Sequence, residues 1–248
     1  MVRASQTNPP ERVAIIRWAA CMGAITAEAL ADRQCISVAS ARARLLAAER
    51  ARLLSRWRPL VGQPALYTVT PAGMRVCGLC GLDPCRVSAS NALHTVVCAG
   101  VAATLERCYP NHRVLGEREL RRDERACGVP LASARLGTAS DGGPLLHRPD
   151  LVLWPSGSGD GLPVAVEVEL TVKAPRRLAH ICLAWARCRC VAGVLYLAAP
   201  GVEHALGRAI ATAQASERIA VVPLSALPGP GRAAKAKAPA ERTVPSET

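Results

Sequence analysis

The sequence predicts a mixed α/β chain, in which an α+β winged-helix domain precedes a larger domain with a mixed sheet flanked by helices. Three observations lead to this fold class. The first part of the chain reads as three helices, two strands and a further helix, and most of the net positive charge lies there. Beyond residue 170 strands alternate with helices, which requires right-handed crossovers and a partly parallel sheet.

The winged-helix domain is predicted over residues 11–80, after a flexible arm at residues 1–10. Gly23 should end the first helix, while Thr26 and Ser37 are good N-caps for the second and third. The six elements are expected at 11–22, 27–34, 38–54, 57–61, 65–70 and 71–79. This order is typical of a winged helix-turn-helix.

A helix-turn-helix places its third helix in the major groove, with residues near that helix's N-terminus at the bases. Up to Val76 the chain has 11 Arg and 4 acidic residues, so +7 of the net charge of +12 lies here. Duplex DNA is therefore the expected partner. The predicted contacts to bases and phosphates come from Ser37, Ser40, Arg42, Arg44, Arg56 and Arg58. The alternatives are a solvated arginine face and a dimerisation module, so a homodimer stays open.

The second domain is predicted over residues 88–227, before a disordered basic tail at 228–248. A long helix opens it, an Arg/Glu-rich connection follows the first strand, and two strands flank the turn "SGSGDG". Its helices and strands are expected in the order α-β-β-β-α-β-α-β, at 88–108, 112–117, 149–155, 162–171, 175–189, 191–200, 202–216 and 218–224.

The strand "VAVEVEL" has two chemically different faces. Its valines and leucine point one way, whereas Glu167 and Glu169 point the other, and side chains two apart on a strand lie roughly 6–7 Å apart. Two carboxylates on a face that helices should cover repel each other and resist desolvation, so something must compensate them. A divalent metal would do so, and so would a pairing with Arg176 or Arg177.

Asp150 and Lys173 complete this acidic constellation. The strand after Asp150 should pair with the glutamate strand as a hairpin and bring the aspartate towards both glutamates. Hard cations such as Mg²⁺ prefer carboxylate oxygens, so Asp150 and Glu167 are the predicted metal ligands. Lys173, the only Lys before the tail, would act on an attacking water or a phosphate charge. The predicted catalytic residues are Asp150, Glu167, Glu169 and Lys173.

"HRPDLVLWP" followed by "PVAVEVELTVKAPRRL" resembles the PD-(D/E)XK nuclease superfamily. With "YTVTPAGMRV" upstream, residues 11–227 resemble the bacterial replication-relaxation family, which joins a winged helix to a nuclease-like domain. The resemblance implies a restriction-endonuclease-like sheet, and a role in plasmid or mobile-element replication or transfer alongside other proteins of that process. Glu169 stands where the signature usually has Lys, and Glu106 or Glu117 would complete the site as in some relatives.

The cysteine-rich stretch and the N-terminus give weaker signals. "CGLCGLDPC" offers Cys77, Cys80 and Cys85, with His94 as a fourth ligand, but the second pair of a closed zinc site is missing, so structural zinc is disfavoured. Neither a signal peptide nor a membrane span is predicted, and a cytoplasmic location is expected. The alternative function is a non-catalytic transcriptional or replication regulator, whose α/β domain only binds or dimerises.

Overall fold

The computed structural model describes residues 9–83, 85–140, 142–156 and 161–228. The expected arm and tail fall outside these ranges, apart from residues 9, 10 and 228. The chain is a mixed α/β protein with helices around a mixed sheet, as the sequence predicted at that level. No helix in the described ranges is both long and apolar enough to cross a membrane.

The N-terminal unit consists of four helices and a small antiparallel sheet. Its elements are α1 (Pro10–Met22), β1 (Ala24–Ile25), α2 (Ala27–Gln34), α3 (Val38–Arg50), β2 (Leu54–Trp57), β3 (Leu66–Val69) and α4 (Pro71–Val76). Strand β3 lies between β1 and β2. Gly23, with φ of 88°, follows α1, and the side chains of Thr26, Ser37 and Thr70 cap α2, α3 and α4 by accepting a backbone N–H three residues on.

Three predicted boundaries in this unit are wrong, including the end of the helix expected at 71–79, which lies at Val76. Helix α3 ends at Arg50, because Arg52 has a left-handed φ of 56° that an α-helix cannot continue. The strand expected at 57–61 lies earlier, at Leu54–Trp57, where buried Leu54 pairs with Val69 of β3. Residues 58–64 form the connection between β2 and β3 instead. The two-residue strand β1 was not predicted, since it is too short to show a pattern.

The C-terminal unit is a five-stranded mixed sheet with helices on both faces and a separate hairpin. Its elements are α5 (Ala89–Cys108), β4 (His112–Gly116), α6 (Glu117–Cys127), β5 (Ala134–Thr138), β6 (Pro144–His147), β7 (Leu151–Pro155), β8 (Val164–Glu169), α7 (Pro175–Arg187), β9 (Gly193–Ala198), α8 (Glu203–Thr212) and β10 (Ile219–Pro223). The sheet order is β10-β9-β8-β7-β4, with β8, β9 and β10 parallel and β7 antiparallel to both neighbours.

The segment predicted as an Arg/Glu-rich connection contains helix α6 and the β5–β6 hairpin. Helix α6 buries one large apolar side chain, Leu120, together with Glu119 and Glu124, whose charges are paired with arginines. A helix stabilised by ion pairs shows no apolar stripe, so periodicity missed it. The hairpin escaped notice because a register shift between Arg135 and Gly137 breaks its alternation.

Helix α5 packs against both units. Ala99 and Ala103 belong to the N-terminal core, while Val101, Ala102 and Leu105 pack against one face of the large sheet. The other face of that sheet is covered by α7 and α8, whose core includes Trp185. Helices α5 and α7 therefore lie on opposite faces of the sheet. An acidic residue near β8 can find partners on α5 from one face and on α7 from the other.

Candidate functional site

Strand β8 divides its side chains as predicted. Val166 and Val168 are buried against α5 on one face, with Val164 and Leu170 packed beside them. Glu167 and Glu169 occupy the other face and are buried as well, with 5% and 4% of their surface exposed. The predicted hairpin is confirmed, because Leu151 of β7 pairs with Val166 of β8. Burial of both glutamates raises the question of what compensates their charge.

Glu167 is compensated by two neighbours within the protein. Its Oε1 lies 2.6 Å from Nε2 of His147 and accepts a hydrogen bond of 3.1 Å from Nε1 of Trp185. His147 comes from the end of β6 and Trp185 from α7, and their rings make an edge-to-face contact at 5.7 Å. The sequence reasoning missed His147, although it begins the "HRPD" segment three residues before Asp150.

Asp150 turns towards helix α5. Its Oδ2 accepts a hydrogen bond of 2.8 Å from the backbone N–H of Val168 and lies 3.4 Å from Nε2 of His94. The same His94 nitrogen lies 3.2 Å from the carbonyl oxygen of Val168. Asp150 therefore fixes the end of β8 and joins it to a histidine that the sequence had connected with the cysteines near residue 80.

The other predicted site residues, Glu169, Glu117 and Glu106, lie at different distances from Asp150. Glu169 forms an ion pair with Lys173, four residues along, and neither Arg176 nor Arg177 is paired to the glutamates in the described ranges. Glu117 lies close to Asp150, since its backbone N–H donates to the Asp150 carbonyl at 3.1 Å. Glu106 pairs with Arg33 and lines a different cavity between α1 and β4.

The charges around β8 influence one another's protonation. Burial raises the pKa of Glu167 above its ordinary 4.5, against the hydrogen bond and charge of His147. Burial lowers the pKa of His147, but the hydrogen bond and charge of Glu167 outweigh it and the net shift is upward. The hydrogen bond to Asp150 likewise raises the pKa of His94. We call His94, Asp150, His147, Glu167 and Lys173 the charged cluster.

The carboxylate oxygens of the charged cluster are partly occupied by hydrogen bonds and are not all free to bind a hard cation. One oxygen of Glu167 already has two partners, and one oxygen of Asp150 accepts a backbone N–H. In the described ranges, the ligand atoms that lie within 4.8 Å of one another belong to His94, Cys98 and Asp150. A Mg²⁺ site on Asp150 and Glu167 thus stays a prediction, and the residues present fit a nitrogen- and sulfur-binding ion better.

The raised pKa values predict that mild acid stabilises the fold. A carboxyl or imidazole whose pKa is higher in the folded than in the unfolded state binds more protons when folded, so stability falls as pH rises. The loss should begin above pH 4.5 for Glu167 and above pH 6.5 for His94 and His147. We expect His147→Gln to flatten the decline of the melting temperature between pH 6 and pH 8.5. Exposed His180→Gln is the control, and an equal flattening in it would contradict the assignment.

A second feature is a groove between α2, α3 and the β2–β3 connection. Its cavity has a volume of about 320 Å³, and its lining includes Arg42, Arg56, Arg58 and Glu28. Glu28 lies 4.0 Å from Arg42, Glu49 lies 3.4 Å from Arg56, and Arg58 makes no ion pair with the described residues. We call this feature the arginine groove. It brings three of the predicted DNA-contacting residues together.

The other predicted DNA contacts separate into two groups. Ser37 and Ser40 lie exposed at the start of α3, where Ser37 Oγ accepts the Ser40 N–H at 3.1 Å and the two hydroxyls lie 2.9 Å apart. Arg44 lies outside the arginine groove, because it pairs with Glu11 and donates to Gln34 at 2.9 Å. The Arg44 guanidinium is therefore bound by side chains of α1 and α2.

The cysteines near residue 80 do not form a metal-ligand group in the described ranges. Cys77 is buried and lies 3.5 Å from the Met74 carbonyl, and burial raises its pKa and that of Cys85. His94, their proposed fourth ligand, lies with Cys98 and Asp150 instead.

Comparisons with family models, with curated proteins and with solved structures found no match to this chain. The resemblance to the replication-relaxation family accordingly remains a prediction from three short stretches, and the function has to be argued from the two sites described above.

Proposed function

We propose that this chain is a DNA-binding protein, whose N-terminal unit is a winged helix-turn-helix that docks the start of α3 in the major groove. The observation that carries the proposal is the position of the arginine groove beside the exposed first turn of α3. A basic cavity next to small polar side chains is the arrangement expected where a phosphate flanks the bases being read.

The order of elements supports the proposal. Three helices precede a strand pair whose connection extends from the sheet, and β1 joins the sheet beside β3. Only Ala41, Leu45 and Ala48 of α3 are fully buried, which leaves Ala39, Ser40, Arg42 and Ala43 exposed along its N-terminal half. Small exposed residues allow a helix to approach base edges closely.

The charge around the groove supports phosphate as the ligand. Exposed ion pairs such as Arg42–Glu28 contribute roughly 0–1 kcal/mol, so a phosphate can take over the arginine at little cost. Arg58 forms no ion pair with the described part of the chain, so within that part a phosphate displaces no carboxylate from it. The exposed Val61 and Gly62 lie in the β2–β3 connection, which would be the wing.

Duplex binding by the purified full-length chain tests this function. We expect fluorescence anisotropy to show binding to a labelled duplex at about 50 mM salt, with affinity falling steeply as salt rises, since each released phosphate counterion contributes roughly 0.9 to the slope of log K against log salt. A chain that binds no duplex at this ionic strength, or binds with no salt dependence, would refute the proposal.

A second candidate is metal-dependent cleavage of DNA at the charged cluster, as the PD-(D/E)XK resemblance implies. The charges of Asp150 and Lys173 both influence Glu167, although the Asp150 carboxylate turns towards α5, and this proximity near the ends of β7 and β8 favours it. A bound divalent ion would supply an activated water and neutralise phosphate charge. Within the chain, Lys173 would face the phosphate and His147 would hold the Glu167 carboxylate in place. The alternative to this candidate is a transcriptional or replication regulator that binds DNA and does not cleave it.

A cleavage assay on supercoiled and branched DNA in Mg²⁺ or Mn²⁺ distinguishes the nuclease from the non-catalytic regulator. If the candidate holds, wild type should nick DNA and both Asp150→Asn and Lys173→Ala should lose nearly all of that activity. Exposed Glu203→Gln on α8 should keep it. No cleavage by wild type in either metal would reject the nuclease and leave DNA binding unaffected.

A further inference from the structure

We propose that His94, Cys98 and Asp150 form a binding site for one zinc-type divalent ion. The site lies between α5 and the β7–β8 pair and goes beyond DNA binding by the N-terminal unit. It shares Asp150 with the cleavage candidate, so the two assignments compete for one carboxylate. It also differs from the site first considered in the sequence, since it uses His94 without Cys77, Cys80 or Cys85.

The spacing of the three side chains follows from the fold. His94 and Cys98 are four residues apart on α5 and therefore lie on the same face of the helix. That face meets the sheet where Asp150 precedes β7 and where the backbone N–H of Val168 donates a hydrogen bond to the Asp150 carboxylate. Two ligands four residues apart on one helix also bind zinc in the H-E-x-x-H motif.

The distances agree with a tetrahedral ion. With Zn–S near 2.3 Å and Zn–N or Zn–O near 2.0 Å, tetrahedral angles put ligand atoms about 3.5 Å apart for S and N, and about 3.3 Å apart for N and O. His94 Nε2 lies 3.8 Å from Cys98 Sγ and 3.4 Å from Asp150 Oδ2. All three ligand atoms fall within 4.8 Å of one another. Cys98 Sγ also lies 3.6 Å from His94 Nδ1, so the imidazole must rotate to point Nε2 at an ion held by all three side chains.

The chemistry of the donor set selects the class of ion. A thiolate, an imidazole and a carboxylate suit Zn²⁺ or Co²⁺, whereas Mg²⁺ prefers oxygen alone. Binding would release the Cys98 thiol proton to solvent and move the His94 proton from Nε2 to Nδ1, so that Nε2 can coordinate. Three protein ligands leave a fourth position for water, as in open zinc sites.

Solvent can reach this position. The His94 side chain is 41% exposed and the Asp150 side chain 22% exposed, so an ion can enter without unfolding. Cys98 is partly buried on the same helix face.

Cobalt spectroscopy on the reduced, metal-stripped full-length chain tests the site. We expect one Co²⁺ per chain, with visible d–d bands and a near-ultraviolet thiolate-to-cobalt band. Cys98→Ser should abolish the thiolate band, and His94→Ala should weaken Co²⁺ binding by at least about 10-fold, the lower end of what disturbing a metal site costs. Zn²⁺ should displace Co²⁺ and bleach both features.

The control variant is Cys190→Ser, because Cys188 and Cys190 have sulfurs 3.2 Å apart and are another place where cobalt could bind a thiolate. This variant should keep the wild-type spectrum. No thiolate band in wild type, or a band lost in Cys190→Ser and kept in Cys98→Ser, would overturn the site. Duplex binding measured on the same variants separates the outcomes, since His94→Ala should bind DNA as wild type does even if it binds no cobalt.

Discussion

Replacement of Glu167 by Ala should lower the free energy of unfolding by about 3–5 kcal/mol, because removing one partner of a buried charged pair leaves the other uncompensated. The variant leaves His147 and the Nε1–H of Trp185 without their acceptor in a part of the core where Glu167 is 5% exposed. For a chain of this size each kcal/mol moves the melting temperature by roughly 2–4 °C, so a loss on the order of 10 °C is expected. Calorimetry or thermal circular dichroism measures it.

Two further variants make this result specific. Glu167→Gln keeps an acceptor for Trp185 and should cost less, about 1–3 kcal/mol, through the lost charge. Exposed Glu203→Ala should leave the melting temperature unchanged. A Glu167→Ala protein as stable as wild type would mean that the pair with His147 contributes nothing, and the interpretation of the charged cluster as internally compensated would fail.

Replacing Arg42, Arg56 and Arg58 together by Ala should reduce duplex affinity strongly and flatten its salt dependence. If each arginine holds one phosphate, the slope of log K against log salt should fall by roughly 0.9 per contact. The three side chains line the same groove and are exposed, so the fold should tolerate the change. The control removes three exposed arginines of α7 and its end, Arg176, Arg187 and Arg189. Equal losses in both triple variants would indicate binding by net charge alone.

Glu28→Gln provides a change of opposite sign in the same groove. Glu28 faces Arg42 at 4.0 Å and reduces the positive potential there. Its neutral replacement should tighten duplex binding, whereas Arg44→Ala should have a smaller effect than Arg42→Ala because Arg44 lies outside the arginine groove. Weaker binding by Glu28→Gln would contradict phosphate binding in the arginine groove.

The parts of the fold that were predictable have strong local signals. The caps Thr26 and Ser37 and the apolar residues of α3 and β8 placed most helices and strands, since burial of one face imposes a period. Helix α6 was missed because it has one large buried apolar residue and no apolar stripe, and its helical spacing shows only in ion pairs such as Glu117–Arg121. Arg52 follows α3 and prevents the helix from continuing, because it adopts a left-handed φ. No neighbouring residue in the sequence predicts this φ.

The candidate site was predictable only in its acidic half. Alternation placed Glu167 and Glu169 on one face, and the hairpin placed Asp150 next to β8, where its carboxylate turns towards α5 and not onto the glutamate face. The compensating partners come from far along the chain: His147 lies 20 residues before Glu167, and His94 lies 74 residues before Val168. Contacts at such separation depend on how α5 and α7 pack against the sheet, which sequence patterns do not determine.

Mapping the protein–DNA contact by photo-crosslinking tests the central claim most directly. A duplex carrying photoreactive bases would be irradiated with the full-length chain, and the modified peptides identified by mass spectrometry. DNA binding through the winged helix predicts crosslinks at the start of α3, residues 37–43, and in the β2–β3 connection, residues 58–64. Crosslinks confined to residues 88–228 would contradict it, because the DNA would then lie on the large sheet and its helices.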